Sequence, residues 1–333
     1  MADVGWSRKE VSPGIHRLEF AVGTKPMAMY LLAGEHLILV DSGLPDTPET
    51  VYLRAVHALG RRPEEVRLLV LTHADADHIG GNAEVRRLFP NALLACHARD
   101  CRWASDPAAI MAERYDGFVS FGLRYDQEII GLLESWMGPP EPMDILLQGG
   151  ERFRLADDDW LVVHHVPGHT PGHISLHNPT HRYALIGDAV FGRAQFDTGG
   201  VKAAAPPYTD VVAYRATIQI LAELDLELLL TCHYPVMRGE EVADFLDASR
   251  AWSDLAEGVT RRLLREAGGT LTLAEAIDRA NPLLGPFAAP RELQWALLAH
   301  LDHTVTKGEA ERITRDGMVA WAWRRDPTSA PNG

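Results

Sequence analysis

The chain has 333 residues, 46% hydrophobic and 23% charged, the make-up of a globular protein with room for two domains. Disordered, collagen-like and small disulfide-stapled classes are excluded, and no run of about 18 apolar residues offers a membrane span. The net charge of −14 lies wholly before Arg250, since the residues from there on are charge-balanced, and a body of that sign disfavours nucleic acid as a partner.

The opening stretch, MADVGWSRKEVSPGIHRLEF, holds charges but no apolar core, so no signal peptide is expected. GIHRLEFAV and MAMYLLAG read as strands separated by a Gly-Thr-Lys-Pro turn, and HLILVDSG as an apolar strand ending in a polar loop. Residues 47–59 have helical spacing, with Val51, Ala55, Val56 and Leu59 on one face. VRLLVL is a buried strand that stops at Thr72, a helix follows over 82–89, and NALLACHA is a short strand. Residues 106–137 are helical in pattern and rich in Met, Tyr, Phe and Trp, a segment able to lie over a site as a lid or to pack as an ordinary helical pair. Strands resume with ERFRL, WLVVHHV, ISLHNP and RYALIGDAV; residues 208–224 read as a helix and LELLLTC as a strand. Strands thus alternate with helices, and the polar clusters fall at strand carboxyl ends, where α/β folds place ligands.

Composition shifts near Val236. A long helix spans 239–267, Thr272 is placed to cap a second, PRELQWALLAHLDHTVTKG forms a third, and ERITRDGMVAWAW is a hairpin around Asp316-Gly317. Three helices and a hairpin make a winged-helix pattern. The tail after Arg325 is polar and expected to fray.

One constellation dominates the chemistry: His73, Asp75, Asp77 and His78 in one loop, His169 in a second, Asp188 in a third and His233 in a fourth. Imidazole and carboxylate are ligands of zinc and other first-row divalent metals. Packing such groups side by side without a cation would cost several kcal/mol per uncompensated charge. Asp41 is placed to orient the metal loop, His173 to support it, and Cys232 to be a buried small residue. His97, His164, His165 and His177 fall on strands or strand ends, in core or edge roles. Tyr115, Tyr125 and Tyr208 are candidates to reach a substrate.

These motifs resemble the metallo-β-lactamase superfamily over residues 14–236. THADADHIGG matches its signature Thr-His-x-His-x-Asp-His loop, VDSGLP the Asp-containing loop before it, VPGHTPGHISL the third motif, IGDAVF the fourth and CHYPV the last histidine. The resemblance implies an α+β fold: a four-layer αββα sandwich over 1–238 with a helical lid insertion at about 106–145, then a mainly helical, winged-helix-like domain over 239–333. It implies two divalent metals, with His73, Asp75 and His169 on the first and Asp77, His78 and His233 on the second. Asp188 and a hydroxide would be shared between them, and Asp77 could also take the catalytic part of orienting the nucleophile or shuttling a proton. Zinc is expected. Asp75 departs from the pattern by standing where the family usually has His, and a carboxylate there opens iron or manganese as alternatives.

The tail makes the chain similar to the glyoxalase-II-like branch. The leading expectation is a cytoplasmic metallo-hydrolase of a small acyl substrate (ester, thioester or lactone), since cysteines are few and odd in number and basic stripes are lacking. A nuclease or phosphodiesterase is the second reading, carried by the winged-helix pattern alone; an iron oxidoreductase, suggested by Asp75, is the third. The tail is expected to pack on the core or to form a homodimer.

Overall fold

The computed structural model describes residues 5–324; the polar tail from Arg325 lies outside the described residues. Two β-sheets face each other. The first runs β1 (Ser7–Ser12), β2 (Ile15–Val22), β3 (Lys25–Ala33), β4 (Leu37–Val40), β5 (Val66–Val70), β6 (Leu93–His97) and β7 (Ile145–Leu147) in spatial order. It is antiparallel up to β4 and parallel beyond. The second sheet is ordered β15 (Met237–Arg238), β14 (Leu228–Thr231), β11 (Tyr183–Gly187), β10 (Ile174–Asn178), β9 (Asp159–His165) and β8 (Arg152–Ala156), with β11 and β14 parallel. Between β11 and β14 in the chain, β12 (Gln195–Phe196) and β13 (Lys202–Ala204) pair only with each other.

The period of two along each strand builds the layers. In β4 and β5, Ile38, Val40, Leu68 and Val70 point into the space between the sheets, while Leu37, Leu39 and Leu69 point outward, and a register shift between Leu37 and Ile38 puts Val66 on the outward side as well. The outward face is covered by helical residues Val51, Tyr52, Ala55, Val56 and Val85. On the second sheet Tyr183, Leu185, Leu228 and Leu230 face inward, whereas Ala184, Ile186 and Leu229 pack against the helix Val211–Glu223. Helix, sheet, sheet, helix is the four-layer order expected, and strands apolar on both faces read as unbroken hydrophobic runs for that reason.

The strand β1 is a departure from the sequence reading. SRKEVS carries no apolar alternation because it is an exposed edge strand held by backbone pairing to β2. The turn between β2 and β3 is also tighter than expected. Val22 pairs with Lys25 across a two-residue loop in which Gly23 has φ of 60°, so Lys25 and Pro26 belong to β3.

The insertion folds as short helical segments, Pro107–Ile110, Met111–Tyr115, Val119–Phe121 and Gln127–Ser135. Beyond residue 239 come a helix Glu240–Glu266, strand β16 (Thr270–Thr272), a helix Leu273–Leu284, a helix Leu293–Thr306 and the hairpin β17 (Ala310–Arg315) and β18 (Met318–Trp323). Thr272 caps the second of these helices in a reciprocal capping box with Glu275. At the hairpin turn Asp316 and Gly317 both take positive φ, 52° and 79°. The three strands are ordered β16-β18-β17. One continuous apolar cluster joins this region to the sandwich, running from Ile186 and Ile218 through Trp252 and Leu297 to Trp321.

Candidate metal centre

The expected ligands, and Asp41 expected to orient them, all leave the carboxyl ends of strands. Asp41 follows β4, His73 to His78 follow β5, His169 follows β9, Asp188 follows β11 and His233 follows β14. Asp188 is set by Gly187, whose φ is 48° and whose Cβ would stand 2.5 Å from Thr72 Oγ1. Two side chains then tie the loops together. Asp41 accepts from the Thr72 backbone N–H at 2.6 Å, from Thr72 Oγ1 and from His78 Nδ1 at 2.9 Å. Asp100, at the end of the loop after β6, accepts from Ala74 N at 3.1 Å, Thr170 Oγ1 at 2.6 Å and Gly172 N at 2.6 Å. It therefore joins the His73 loop to the His169 loop.

Four histidines converge with one ring nitrogen anchored and the other bare. His78 Nδ1 donates to Asp41, His233 Nδ1 to the Pro26 carbonyl at 2.8 Å and His169 Nδ1 to the Pro207 carbonyl, while His73 Nδ1 lies 3.0 Å from Thr72 Oγ1. The Nε2 atoms of all four are buried and make no hydrogen bond. Buried polar atoms without partners are costly, and four aimed into one place are a donor set. Protonation at Nδ1 leaves each Nε2 lone pair free, the tautomer a metal requires.

The donors fall into two groups, each with its candidate atoms within 4.8 Å of one another. One is His73, Asp75 and His169; the other is His78, Asp188, Cys232 and His233. Asp188 Oδ2 lies 3.1 Å from His233 Nε2 and 3.7 Å from His78 Nε2. Asp77 stands beside the second group, its Oδ2 3.6 Å from His233 Nε2, and is engaged by Lys25 Nζ at 2.6 Å. Asp75 lies 2.9 Å from His169 Nε2 and carries Arg114 on both carboxylate oxygens. His173 stacks on His73 with ring centroids 4.6 Å apart and accepts the Asp188 backbone N–H. Cys232 is buried, as expected, yet it also sits among the donors, which its place after an apolar run concealed.

The electrostatics are those of an acid-rich pocket. Burial pushes the Asp75 carboxyl up, but Arg114 and His169 hold it well below the usual range. Burial opposes the charge on His78, yet Cys232, Asp41 and Asp77 raise it. His233 is raised to about 10 by Asp188 and Cys232 against burial. Cys232 is brought down to about 7 by His233 and His78 although burial acts the other way. His73 is driven well below its ordinary value by burial and by the neighbouring histidines. Asp41, Asp75, Asp77 and Asp188 gather at this centre, where Lys25 meets Asp77 and Arg114 meets Asp75. These residues fit a divalent cation, which would give the bare Nε2 atoms a partner.

A cavity of about 290 Å³ opens over this centre. Ile129, Leu132, Leu133 and Trp136 of the insertion, with Phe196 and Trp295, form apolar walls; Lys25, Arg114, Tyr115 and Glu292 supply polar ones. Tyr115 and Tyr125 line the cavity, whereas Tyr208 is corrected to a core residue, fully buried with its hydroxyl 2.7 Å from His300 Nε2. Lys25, Arg114, Glu292 and Trp295 were not read from the sequence as site residues. The one signal for Arg114 was indirect, because a carboxylate replacing histidine in a buried loop calls for a cation.

The profile of the Metallo-beta-lactamase superfamily matches residues 24–233, and the chain belongs to that superfamily. It is a hydrolase of the superfamily, with a centre able to bind metal. A probable metallo-hydrolase, YflN, of Bacillus subtilis is 26% identical over 245 residues, 69% of this chain and 88% of the relative. The acyl-coenzyme A thioesterase MBLAC2 of Gallus gallus is 26% identical over 260 residues, 73% of this chain and 86% of the relative. Among solved structures, a metallo-β-lactamase family protein of Thermus thermophilus superposes with a TM-score of 0.72 at 21% identity, covering 95% of this chain and 100% of the other. A β-lactamase domain protein of Burkholderia ambifaria gives 0.71 at 20% identity over 96% and 95%. The fold shared with them takes in the C-terminal helices and hairpin as well as the sandwich.

Proposed function

We propose that this protein is a metal-dependent hydrolase of a small acyl substrate, an ester, thioester or lactone, cleaved over His73, Asp75, Asp77, His78, His169, Asp188 and His233. The observation that carries the reading is the convergence of four bare Nε2 atoms beneath a cavity with apolar walls. When bound, divalent cations at the two donor groups activate water and polarise the scissile carbonyl. The chain's own residues do the rest. Asp41, Pro26 and Pro207 orient the imidazoles, Asp77 stands at the floor of the cavity as a candidate proton shuttle, and the insertion's apolar side chains hold the acyl group and exclude water. Zinc is the proposed metal, supported by a histidine, carboxylate and thiol donor set.

The thioester option is supported by the similarity to the acyl-coenzyme A thioesterase. The nuclease reading has less support. The helix Leu293–Thr306, which a winged-helix module would turn to nucleic acid, is buried along Leu293, Trp295, Leu297, His300 and Leu301. The basic residues at its ends are engaged within the protein: Arg291 lies over the Tyr125 ring and Lys307 pairs with Glu257. A cytoplasmic setting belongs to the same proposal, supported by three cysteines that are all free.

The test is a panel of acyl thioesters, aryl esters, lactones and bis-aryl phosphodiesters, assayed on zinc-loaded and chelator-treated protein. Turnover of an acyl substrate that is lost on chelation and in Asp188→Ala, with the fold intact by circular dichroism, is expected. Metal-loaded protein that cleaves only the phosphodiester would select the nuclease reading instead.

A further inference from the structure

We propose that Arg114 makes the two metal positions unequal. Its guanidinium supplies the positive charge at the His73, Asp75 and His169 position, so the chain holds one divalent cation tightly at His78, Asp188 and His233, and a second only weakly. The inference rests on the metal-site reading above and refines it.

Both aspartates of the His73 loop have a cation for a partner, but the partners differ in kind. Lys25 meets Asp77 through a single ammonium contact with its side chain 31% exposed, a flexible point charge able to swing into water. Arg114 has a side chain only 3% exposed and holds both oxygens of Asp75, Nε on Oδ1 and Nη2 on Oδ2 at 3.0 Å. Its guanidinium lies 4.8 Å from the Trp295 ring centroid and 5.7 Å from that of Trp103, and Nη1 is directed at the His169 carbonyl. Tyr115, the next residue, adds its hydroxyl 3.4 Å from Asp75 Oδ1.

A cation so enclosed cannot swing out into bulk water as Lys25 can, and removing it from Asp75 would leave a largely buried charge without its ion-pair partner. A metal ion at this position must therefore share one carboxylate with a fixed guanidinium and bear its repulsion. The other position has beside it, among the described residues, only the mobile ammonium of Lys25 on Asp77, and its Asp188 faces the Nε2 atoms of His233 and His78 directly. Asp75 and Arg114 thus form a matched pair. The carboxylate standing where the family usually has histidine is the group that fixes the arginine, and the arginine is the reason an acidic residue is tolerated there.

The experiment is metal analysis of the full chain by mass spectrometry after equilibration against buffers of graded free zinc. Wild-type protein is expected to retain one ion at low free zinc and to take up a second only at concentrations on the order of tenfold higher or more. Arg114→Met is expected to bring the second uptake towards the first. Arg114→Lys, which keeps the charge but loses the planar fork, should fall between and serves if the methionine variant misfolds. His78→Ala should lose the tight ion and Asp75→Asn should keep it. Two ions of equal affinity in the wild type, or a tight ion that survives His78→Ala and not Asp75→Asn, would overturn the inference. Wild-type protein that takes up no ion at any free zinc concentration would overturn the hydrolase reading itself, a result distinct from two equal ions.

Discussion

At the scale of single residues, the proposed centre depends on groups that hold the candidate ligands as much as on those ligands. Asp41 sits at φ of 60°, a left-handed conformation that Asp and Asn tolerate better than other side chains. From there its carboxylate reaches three donors on Thr72 and His78. Asp41→Asn keeps the backbone geometry but offers one acceptor oxygen and an N–H₂ that faces donors. It is expected to lower zinc affinity about 10- to 100-fold, as loss of a ligand-orienting partner does elsewhere, read by competition with a chromophoric chelator. Asp41 was expected to orient the metal loop, and the motif loops were legible as carriers of candidate ligands because residue types and spacing carry that information. Arg114 and Lys25 were not, since each meets its aspartate only through folding, 39 and 52 residues away along the chain.

At the scale of elements, the central strands are what unbroken apolar runs specify, and their loops are fastened to one another by buried carboxylates. Asp100 bonds both the His73 and the His169 loops while itself fully buried. Asp100→Ala strands two backbone N–H groups and a hydroxyl without partners, and is expected to cost about 2–5 kcal/mol in denaturant unfolding. The insertion is fixed to the body in the same way. Gly80 meets the carbonyl of Trp136 so closely that no Cβ fits between them, and Tyr125 donates to Glu292 at 3.0 Å. The 106–137 pattern was open between lid and packed pair. The segment packs on the body and lines the cavity at once, because its aromatic residues face both.

At the scale of the whole molecule, the helices beyond residue 239 are bound to the sandwich by apolar packing and by a charge cluster at Glu257. That carboxylate accepts from Arg215 of the sandwich helix and pairs with Arg261 and Lys307 of the C-terminal helices. Burial acts to raise Glu257, but Arg215 and the other cations bring it down to about 2 from an ordinary 4.5. A depressed folded value means the stabilisation is full above pH 4.5 and is lost as pH falls towards 2. Thermal unfolding is expected to show that decline, and Glu257→Gln to flatten it while lowering stability at neutral pH by about 1.5–3 kcal/mol. Removing residues 239–333 would uncover the apolar face around Ile218 and Tyr214 and take Glu292 and Trp295 out of the cavity wall. The truncated chain is expected to aggregate in light scattering, and a monodisperse, active fragment would refute the packing role.

The sequence by itself determined most of the central strands and the seven candidate ligands, and the layered order followed from the resemblance its motifs carry. Periodicity, turn chemistry and donor spacing are local properties, and burial acts on each residue's own side chain. Only the tertiary structure decided which charges meet: Arg114 on Asp75, Lys25 on Asp77, Cys232 among the donors and Glu292 at the cavity wall. Such pairs form between segments far apart in the chain, where nothing in either segment names its partner. The low dielectric of the interior then makes those meetings strong enough to set the chemistry of the centre.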